Sequence, residues 1–314
     1  MKARNKGILY AASAALMWGF LAIVLKVSLD YIPAVTIVWL RFLVAFVVLV
    51  PILYWKNPQS LRIFKKPPIL GIVAALGLSF NYIGYIKGLE LTTPSNTQVV
   101  IQMAPLMLAL VGLVVYKERL SWWQTLGFAI AIGGFFVFYR DQLTNLIGSE
   151  DIYQAGVYWV MGAALAWVLF AALQKGLVQR YHAQGLNALI YLVPVLVVWP
   201  LVDFQAVVEL NWVLWLLVVF LGLNTLLAYG AIAEAFRYIP ANKVGIIVIV
   251  NPLITIAAMG VLGWLEVSWI EAERISPLGV VGAIMILLGV GLAVKAKKAP
   301  AKIETREVAL DIEK

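Results

Sequence analysis

The chain has 314 residues, of which 63% are apolar and only 13% charged, with a formal net charge of +8. A soluble domain of this length needs a charged surface that these residues cannot supply, and the mean hydropathy of +0.93 agrees with a lipid bilayer as the solvent. There is no cysteine and His182 is the only histidine, which excludes thiolate metal sites, a cysteine nucleophile and an HExxH centre. We therefore expect a membrane protein that is not an enzyme and that binds neither a metal nor a cofactor.

Ten apolar runs are long enough to cross a bilayer, which predicts an all-α membrane protein of ten transmembrane helices. In chain order the predicted spans are residues 7–29, 34–54, 69–89, 95–116, 122–139, 155–175, 186–203, 211–235, 241–264 and 277–295. Residues 140–154 are predicted to link a first half, 7–139, to a second half, 155–295. Residues 299–314 are charged and poor in aromatics, and are predicted to form a solvated cytoplasmic tail.

Lysine and arginine residues are concentrated in the loops that share a side of the membrane with the N-terminus. Only Arg140 and Arg274 fall in the loops of the other side, which are acidic. Because basic loops stay in the cytoplasm, this bias places both termini on the cytoplasmic side of an inner (plasma) membrane. Removing one span from the count would scatter the basic residues over both sides, so the bias also favours ten spans.

The two halves resemble each other in sequence. Trp18 and Lys26 match Trp167 and Lys175 at a constant offset of 149. Further pairs follow in the same order: Pro105 with Pro252, Glu118 with Glu266, Gly127 with Gly282 and Gly134 with Gly289. Five spans per half is an odd number, so the second half enters the membrane inverted, which is a recurring arrangement in transporters. The alternative is a duplicated scaffold with no transport role.

Several short motifs carry a family resemblance. They are the small-residue run that ends at Trp18, the segment Trp39-Leu40-Arg41-Phe42, and Tyr116-Lys117-Glu118-Arg119-Leu120 after Pro105. With these motifs the chain resembles the drug/metabolite transporter superfamily, in its ten-helix branch with two EamA-type domains. The resemblance implies a central cavity lined by both halves and an alternating-access cycle. Many such relatives export amino acids or other metabolites across the bacterial inner membrane.

Polar side chains at mid-membrane depth are candidate substrate ligands, because burying them is costly unless they face a partner or a wet cavity. Asn81 and Tyr85 share one helical face beside Tyr82, and the resemblance places this stretch on the cavity wall. The repeat mates Trp18 and Trp167 suit that wall and a packed helix interface equally.

Amide side chains form a second candidate group. Gln98 and Gln102 lie four residues apart, where two amides could orient a zwitterion or could bond a neighbouring helix. Asn224, Tyr229 and Asn251 are the corresponding residues of the second half.

Charged residues within the spans have two interpretations each. Arg41 could offer a fixed cation to a carboxylate or phosphate, but outward snorkelling or pairing with a carbonyl is favoured. Lys26 and Lys175 could act as gates, although snorkelled anchors are favoured. Glu234 could couple transport to protons, but Arg237 at i+3 favours a salt bridge at the helix end.

Pro105 and Pro252 lie within the fourth and ninth predicted spans, at repeat-related places. Proline removes a backbone hydrogen bond and kinks a helix, which membranes tolerate beside a cavity. Both are therefore predicted to form hinges or bends next to the substrate.

These observations favour a secondary transporter that exports an amino-acid-like or aromatic metabolite. A sugar, nucleotide-sugar or cationic drug carrier of the same fold is the alternative, and a channel or scaffold is a third hypothesis. The expected partners are a small-molecule substrate and the lipid bilayer, without nucleic acid, and the expected state is a monomer or weak homodimer.

Overall fold

The computed structural model describes residues 3–91, 97, 100–118, 120–138, 140, 151–267 and 277–295, with the backbone alone at 22, 106, 151–153, 256 and 294–295. Within these residues the chain forms helices joined by short turns, without a strand. The α-helices are α1 (Ala3–Leu29), α2 (Ala34–Lys56), α3 (Ile69–Leu91), α4 (Met103–Val114), α5 (Trp122–Phe138), α6 (Asp151–Leu177), α7 (Ala183–Val198), α8 (Phe204–Val208), α9 (Trp212–Tyr238), α10 (Ala241–Val248), α11 (Asn251–Trp264) and α12 (Pro277–Lys295), with 3₁₀ turns at Pro58–Phe64 and Trp199–Leu201.

Seven helical segments are long and apolar enough to cross a membrane, counting α10 and α11 together as Ala241–Trp264. A bilayer core needs about 20 apolar residues in helical form, and these segments meet that length. Three shorter apolar helices, α4, α5 and α12, fall at the other three predicted spans. The chain is thus a multi-pass membrane protein, and the full count of ten spans stays a prediction.

Tryptophans at helix ends mark the expected membrane interfaces. Trp55 ends α2, Trp122 and Trp212 begin α5 and α9, and Trp264 ends α11, and each side chain is at least 73% exposed. Tryptophan favours the headgroup level of a bilayer because its ring is apolar and its N–H is polar. These positions agree with helices that cross the bilayer.

Some helix bounds differ from those predicted. Helix α6 begins at Asp151, four residues inside the predicted linker, and the short helix α8 occupies a segment predicted to be a loop. Asp203 starts α8 by accepting the backbone N–H groups of Gln205 and Ala206, which is how aspartate commonly caps a helix. Residues 141–150 and the predicted tail, 299–314, lie outside the described part of the chain.

The fourth and ninth predicted spans are not continuous helices. Helix α10 ends at Val248 and α11 begins at Asn251, so Pro252 sits in the first turn of the second segment. In the fourth span, Gln102 forms a turn and α4 begins at Met103, two residues before Pro105. A proline in the first turn needs no backbone N–H, so each break precedes its proline instead of centring on it. This shifts the two predicted bends toward the N-terminus.

The main helix contacts pair the two halves in a regular way. The most extensive contacts join α1 to α9, α3 to α6, α5 to α12, α4 to α10, α2 to α9, α2 to α7 and α3 to α7. Exchanging each helix with its repeat mate turns the α1–α9 pair into α3–α6 and the α2–α9 pair into α3–α7, and it leaves α2–α7 and α5–α12 unchanged. The chain therefore folds with its halves interleaved rather than side by side.

Glycines bring α5 and α12 into close contact. A Cβ atom on Gly134 would lie 2.8 Å from the Gly282 carbonyl oxygen, and one on Gly289 would lie 2.5 Å from that of Gly127. No side chain fits at these distances, so the four glycines serve helix packing.

Helices α4 and α11 end in the same unusual backbone conformation. Lys117 and Glu266 have φ angles of 48° and 52°, which are the positive values found among the described non-glycine residues. This likeness pairs Lys117 with Glu266, again at an offset of 149. The sequence match of Glu118 with Glu266 lies one residue away from this pairing.

Candidate functional site

A cavity of about 120 Å³ lies at the centre of the helices. Its walls come from α1 to α4 in the first half and from α6, α9, α10 and α11 in the second. Most predicted site residues line it, namely Trp18, Arg41, Asn81, Tyr82, Tyr85, Gln102, Pro105, Trp167, Tyr229 and Asn251. Asn224, Pro252, Lys26, Lys175 and Glu234 are not among its lining residues, and Gln98 lies outside the described residues.

Aromatic rings from four helices form one continuous wall. The ring centroids of Trp18 and Trp167 are 6.0 Å apart at an interplanar angle of 75°, and Trp18 meets Tyr229 at 5.3 Å and 65°. Tyr229 in turn contacts Tyr82 at 6.1 Å. Edge-to-face pairs of this kind stabilise one another and still leave ring faces open. The wall can therefore bind a flat or apolar group.

Arg41 projects from α2 into the cavity, where its side chain is only 3% exposed. Its Nε donates to the Thr225 hydroxyl at 3.1 Å and its Nη2 to the Tyr82 hydroxyl at 3.2 Å. The guanidinium carbon lies 4.5 Å from the centroid of the Tyr82 ring, a cation–π contact. The preference for snorkelling or carbonyl pairing is therefore wrong, because the Arg41 face of α2 packs inward on α3 and α9.

Gln102 and Asn251 join the two helix breaks across the cavity. The Gln102 Nε2 donates to the Asn251 Oδ1 at 3.2 Å, which links the start of α4 to the start of α11. The Gln102 Oε1 is buried, and within the described part of the chain no donor reaches it. An unpaired buried acceptor is costly, and this oxygen is too enclosed for a molecule in the cavity to reach it, so the contribution of Gln102 to the site is the hydrogen bond to Asn251.

Asn81 and Asn224 hold helices together at repeat-related places. The Asn81 Nδ2 donates to the Ala163 carbonyl of α6 at 2.9 Å, and the Asn224 Nδ2 donates to the Met17 carbonyl of α1 at 2.7 Å. These are the helix pairs that exchange under the repeat. Asn81 also lines the cavity, whereas the structure places Asn224 in helix packing alone.

The three remaining candidates are charged residues near helix ends. Lys175 donates to the Phe236 and Ile239 carbonyls at 2.7 and 2.9 Å, so it caps the end of α9 and is not a snorkelled anchor as favoured. Glu234 forms the expected salt bridge with Arg237 at 3.2 Å. Lys26 is half-buried near the end of α1.

Glu118 has a role that the sequence analysis missed. Its two carboxylate oxygens accept the backbone N–H groups of Ala241 and Asn242 at 2.8 and 3.0 Å, which caps the start of α10. Helix α10 has Pro240 at its N-cap and no side-chain cap of its own, so it needs an acceptor from elsewhere. That missing cap is the sequence signal, but which carboxylate supplies it depends on the fold.

Tyr116 connects the segment after α4 to helix α6. Its hydroxyl donates to the Ala172 carbonyl of α6 at 2.5 Å. This bond holds the segment that also carries Glu118 against the second half of the chain.

A search for relatives identifies the family of this fold and cavity. The EamA-like transporter family matches residues 5–140 and again residues 154–295. The chain belongs to the EamA-like transporter family. Both matches together cover nearly all of the described helices, so the family fold accounts for the whole cavity and not for one part of it.

Proteins similar to this chain occur in several bacteria. The uncharacterized inner membrane transporter YhbE of Escherichia coli K12 is 32% identical over 287 residues, covering 90% of this chain and 89% of YhbE. An uncharacterized transporter of Haemophilus influenzae is 28% identical over 299 residues, covering 94% and 97%. One solved crystal structure superposes with a TM-score of 0.74 at 18% identity, covering 92% of this chain and 96% of the other, which supports the fold alone. The chain is a membrane transporter.

Proposed function

We propose that this EamA-like protein is a secondary transporter that exports a small amino-acid-like or aromatic metabolite by alternating access to its central cavity. One observation carries the proposal: a single cavity between the two halves combines an aromatic wall with a fixed cation and amide groups. Ring faces suit an apolar body, and a few placed polar groups set its orientation, which is the usual composition of a small-molecule site.

We also propose that residues 7–139 and 155–295 are two inverted five-helix units, with ten spans in total. The exchange pattern of helix contacts, the matched ends of α4 and α11, and the glycine pairs between α5 and α12 all support this arrangement. Both termini are proposed to be cytoplasmic from the distribution of lysine and arginine. Two similar units give a molecule two related conformations that open to opposite sides.

Glu118 is the proposed cytoplasmic gate residue. It follows α4 in the first unit and caps α10 in the second, so its two hydrogen bonds connect the units. Lys175 of α6 caps the end of α9. Both helices belong to the second unit, so this contact does not connect the two units. The residues of α1 and α3 that line the cavity belong to the second half of each helix, away from Glu118. Trp167 and Tyr229 line the cavity from the second halves of α6 and α9, which run in the opposite direction in the proposed topology, so the cavity lies near the middle of the membrane.

The test is counterflow in proteoliposomes. The purified protein is first screened by thermal shift against amino acids, sugars, nucleotides and cationic drugs, because a ligand that binds only the folded state raises its melting temperature. Compounds that raise it are then used as radiolabelled substrates, with and without an excess of the same compound inside. A carrier takes up label faster against a loaded interior, whereas a channel does not.

Variants connect the flux to the cavity. We expect Tyr85→Ala and Asn81→Ala to reduce counterflow in protein that still folds. Trp122→Ala is the matched control, because its ring is 73% exposed at a helix end. Unchanged flux in both cavity variants would remove this cavity from the transport path, and absence of counterflow for every stabilising ligand would refute the carrier.

A further inference from the structure

The cavity holds an uncompensated positive charge. Arg41 is the one charged side chain among the described residues that line it, and no aspartate or glutamate joins it there. Its two hydrogen bonds go to neutral hydroxyl groups, which solvate the cation without neutralising it. A buried charge at membrane depth is costly and is normally paired, so an unpaired guanidinium at a cavity wall indicates an anionic ligand.

The geometry leaves a donor for that ligand. The Nε and one N–H of Nη2 are occupied, whereas Nη1 makes no hydrogen bond to any residue in the described part of the chain, so Nη1 and the second N–H of Nη2 can bind the two oxygens of a carboxylate. Thr225 and Tyr82 hold the guanidinium in one orientation, so little side-chain entropy is lost when an anion binds. Arginine is well suited to this role because its planar group matches the oxygens of a carboxylate.

Resting on the proposed transport function, we infer that the cargo carries a single carboxylate that binds Arg41. One guanidinium balances one negative charge, whereas a phosphate monoester with nearly two charges would leave an unbalanced anion in a mostly aromatic cavity. The apolar part of the cargo then lies against Trp18, Trp167 and Tyr229. A cationic drug is disfavoured because it would meet a like charge without a carboxylate to pair with.

The decisive experiment compares ligands on the wild-type protein, so it does not depend on the folding of any variant. Two series share a constant body: phenylalanine, 3-phenylpropionate, phenethylamine, phenylalaninamide and benzyl phosphate, and then leucine, 4-methylpentanoate and isopentylamine. We expect the carboxylates to raise the melting temperature and the amines, the amide and the phosphate not to.

Variants of Arg41 then assign the effect to one side chain. Arg41→Gln should weaken carboxylate binding by about 10- to 100-fold, since the lost hydrogen bond joins two charged groups. Arg41→Lys keeps the charge but loses the planar group, so we expect an intermediate affinity. Arg180→Gln is the matched control, because it removes an equal charge from an exposed position.

The outcomes separate this inference from the proposed function. If amines or neutral sugars stabilise the protein and are transported while carboxylates are not, the carrier stands and the carboxylate inference is overturned. Equal carboxylate binding by folded Arg41→Gln also overturns it. If carboxylates bind at Arg41 but no ligand shows counterflow, the anion site stands and the transport proposal fails.

Discussion

The substitution Glu118→Gln tests whether the α4–α10 connection is a gate or a fixed element of the fold. The Glu118 carboxylate receives two backbone N–H groups at 2.8 and 3.0 Å. A hydrogen bond to a charged group contributes about 1.5–3 kcal/mol, and a negative charge at a helix N-terminus adds about 0.3–1 kcal/mol. Glutamine keeps one acceptor oxygen and loses the charge and the second bond. Because Glu118 is only half-buried, we expect a net loss of about 2 kcal/mol.

If these bonds exist only in the conformation closed to the cytoplasm, their loss changes a population. A difference of about 2 kcal/mol raises the ratio of open to closed molecules by about 30-fold. A cysteine label can report this, because the natural chain has no cysteine. Ala109 is 3% exposed and α10 covers it at Gly245. Ala109→Cys should therefore react slowly with a membrane-impermeant maleimide applied to the cytoplasmic face, and about 10-fold faster or more with Glu118→Gln.

Two controls make the labelling result specific. Glu90→Gln also removes an acidic side chain, but one that is 39% exposed and pairs with Lys87 at the other end of the molecule, so the rate should not change. Lys56→Cys, exposed at the end of α2, should label equally in every background. An Ala109→Cys rate that is the same with and without Glu118→Gln, in protein that remains folded, would refute a gating role and leave Glu118 as a static helix cap.

Three further predictions concern the aromatic wall of the cavity, the carboxylate of Glu234 and the packing of α5 against α12. Trp167→Ala should raise the transport KM about 10-fold through lost ring contact, and an unchanged KM would contradict the aromatic wall. Glu234→Gln should preserve transport and the pH profile of transport. It should lower the free energy of unfolding by at most about 1 kcal/mol, because the salt-bridge partner Arg237 is exposed. Loss of the pH dependence of transport would instead identify Glu234 as a proton-coupling group. Gly134→Ala should destabilise the protein by about 1–3 kcal/mol, because the new Cβ would lie 2.8 Å from a carbonyl oxygen. Gly260→Ala, with nothing within 4 Å of the new atom, should not change the melting temperature, and equal melting temperatures of the two variants would refute tight packing there.

Much of the candidate site could be predicted because polar groups are rare within apolar runs. Arg41, Asn81 and Gln102 stand out for that reason, and all three reach the cavity. What each of them does there could not be read from spacing. Asn81 bonds the backbone of another helix, Gln102 bonds Asn251, and Arg41 turns inward against the expectation for a long cation. Each outcome depends on which neighbour the helix face meets.

The amino-acid sequence by itself determined the solvent, the approximate positions of the spans and the likeness of the halves. These follow from apolar run length, from the side on which lysine and arginine accumulate, and from matches such as Trp18 with Trp167, which involve only local chemistry. The tertiary structure decided which residues share the cavity, that Glu118 caps α10, and that each break precedes its proline. Helices that are apolar on all sides carry no amphipathic stripe to show which face turns inward, so only packing against the other helices sets the direction of each side chain.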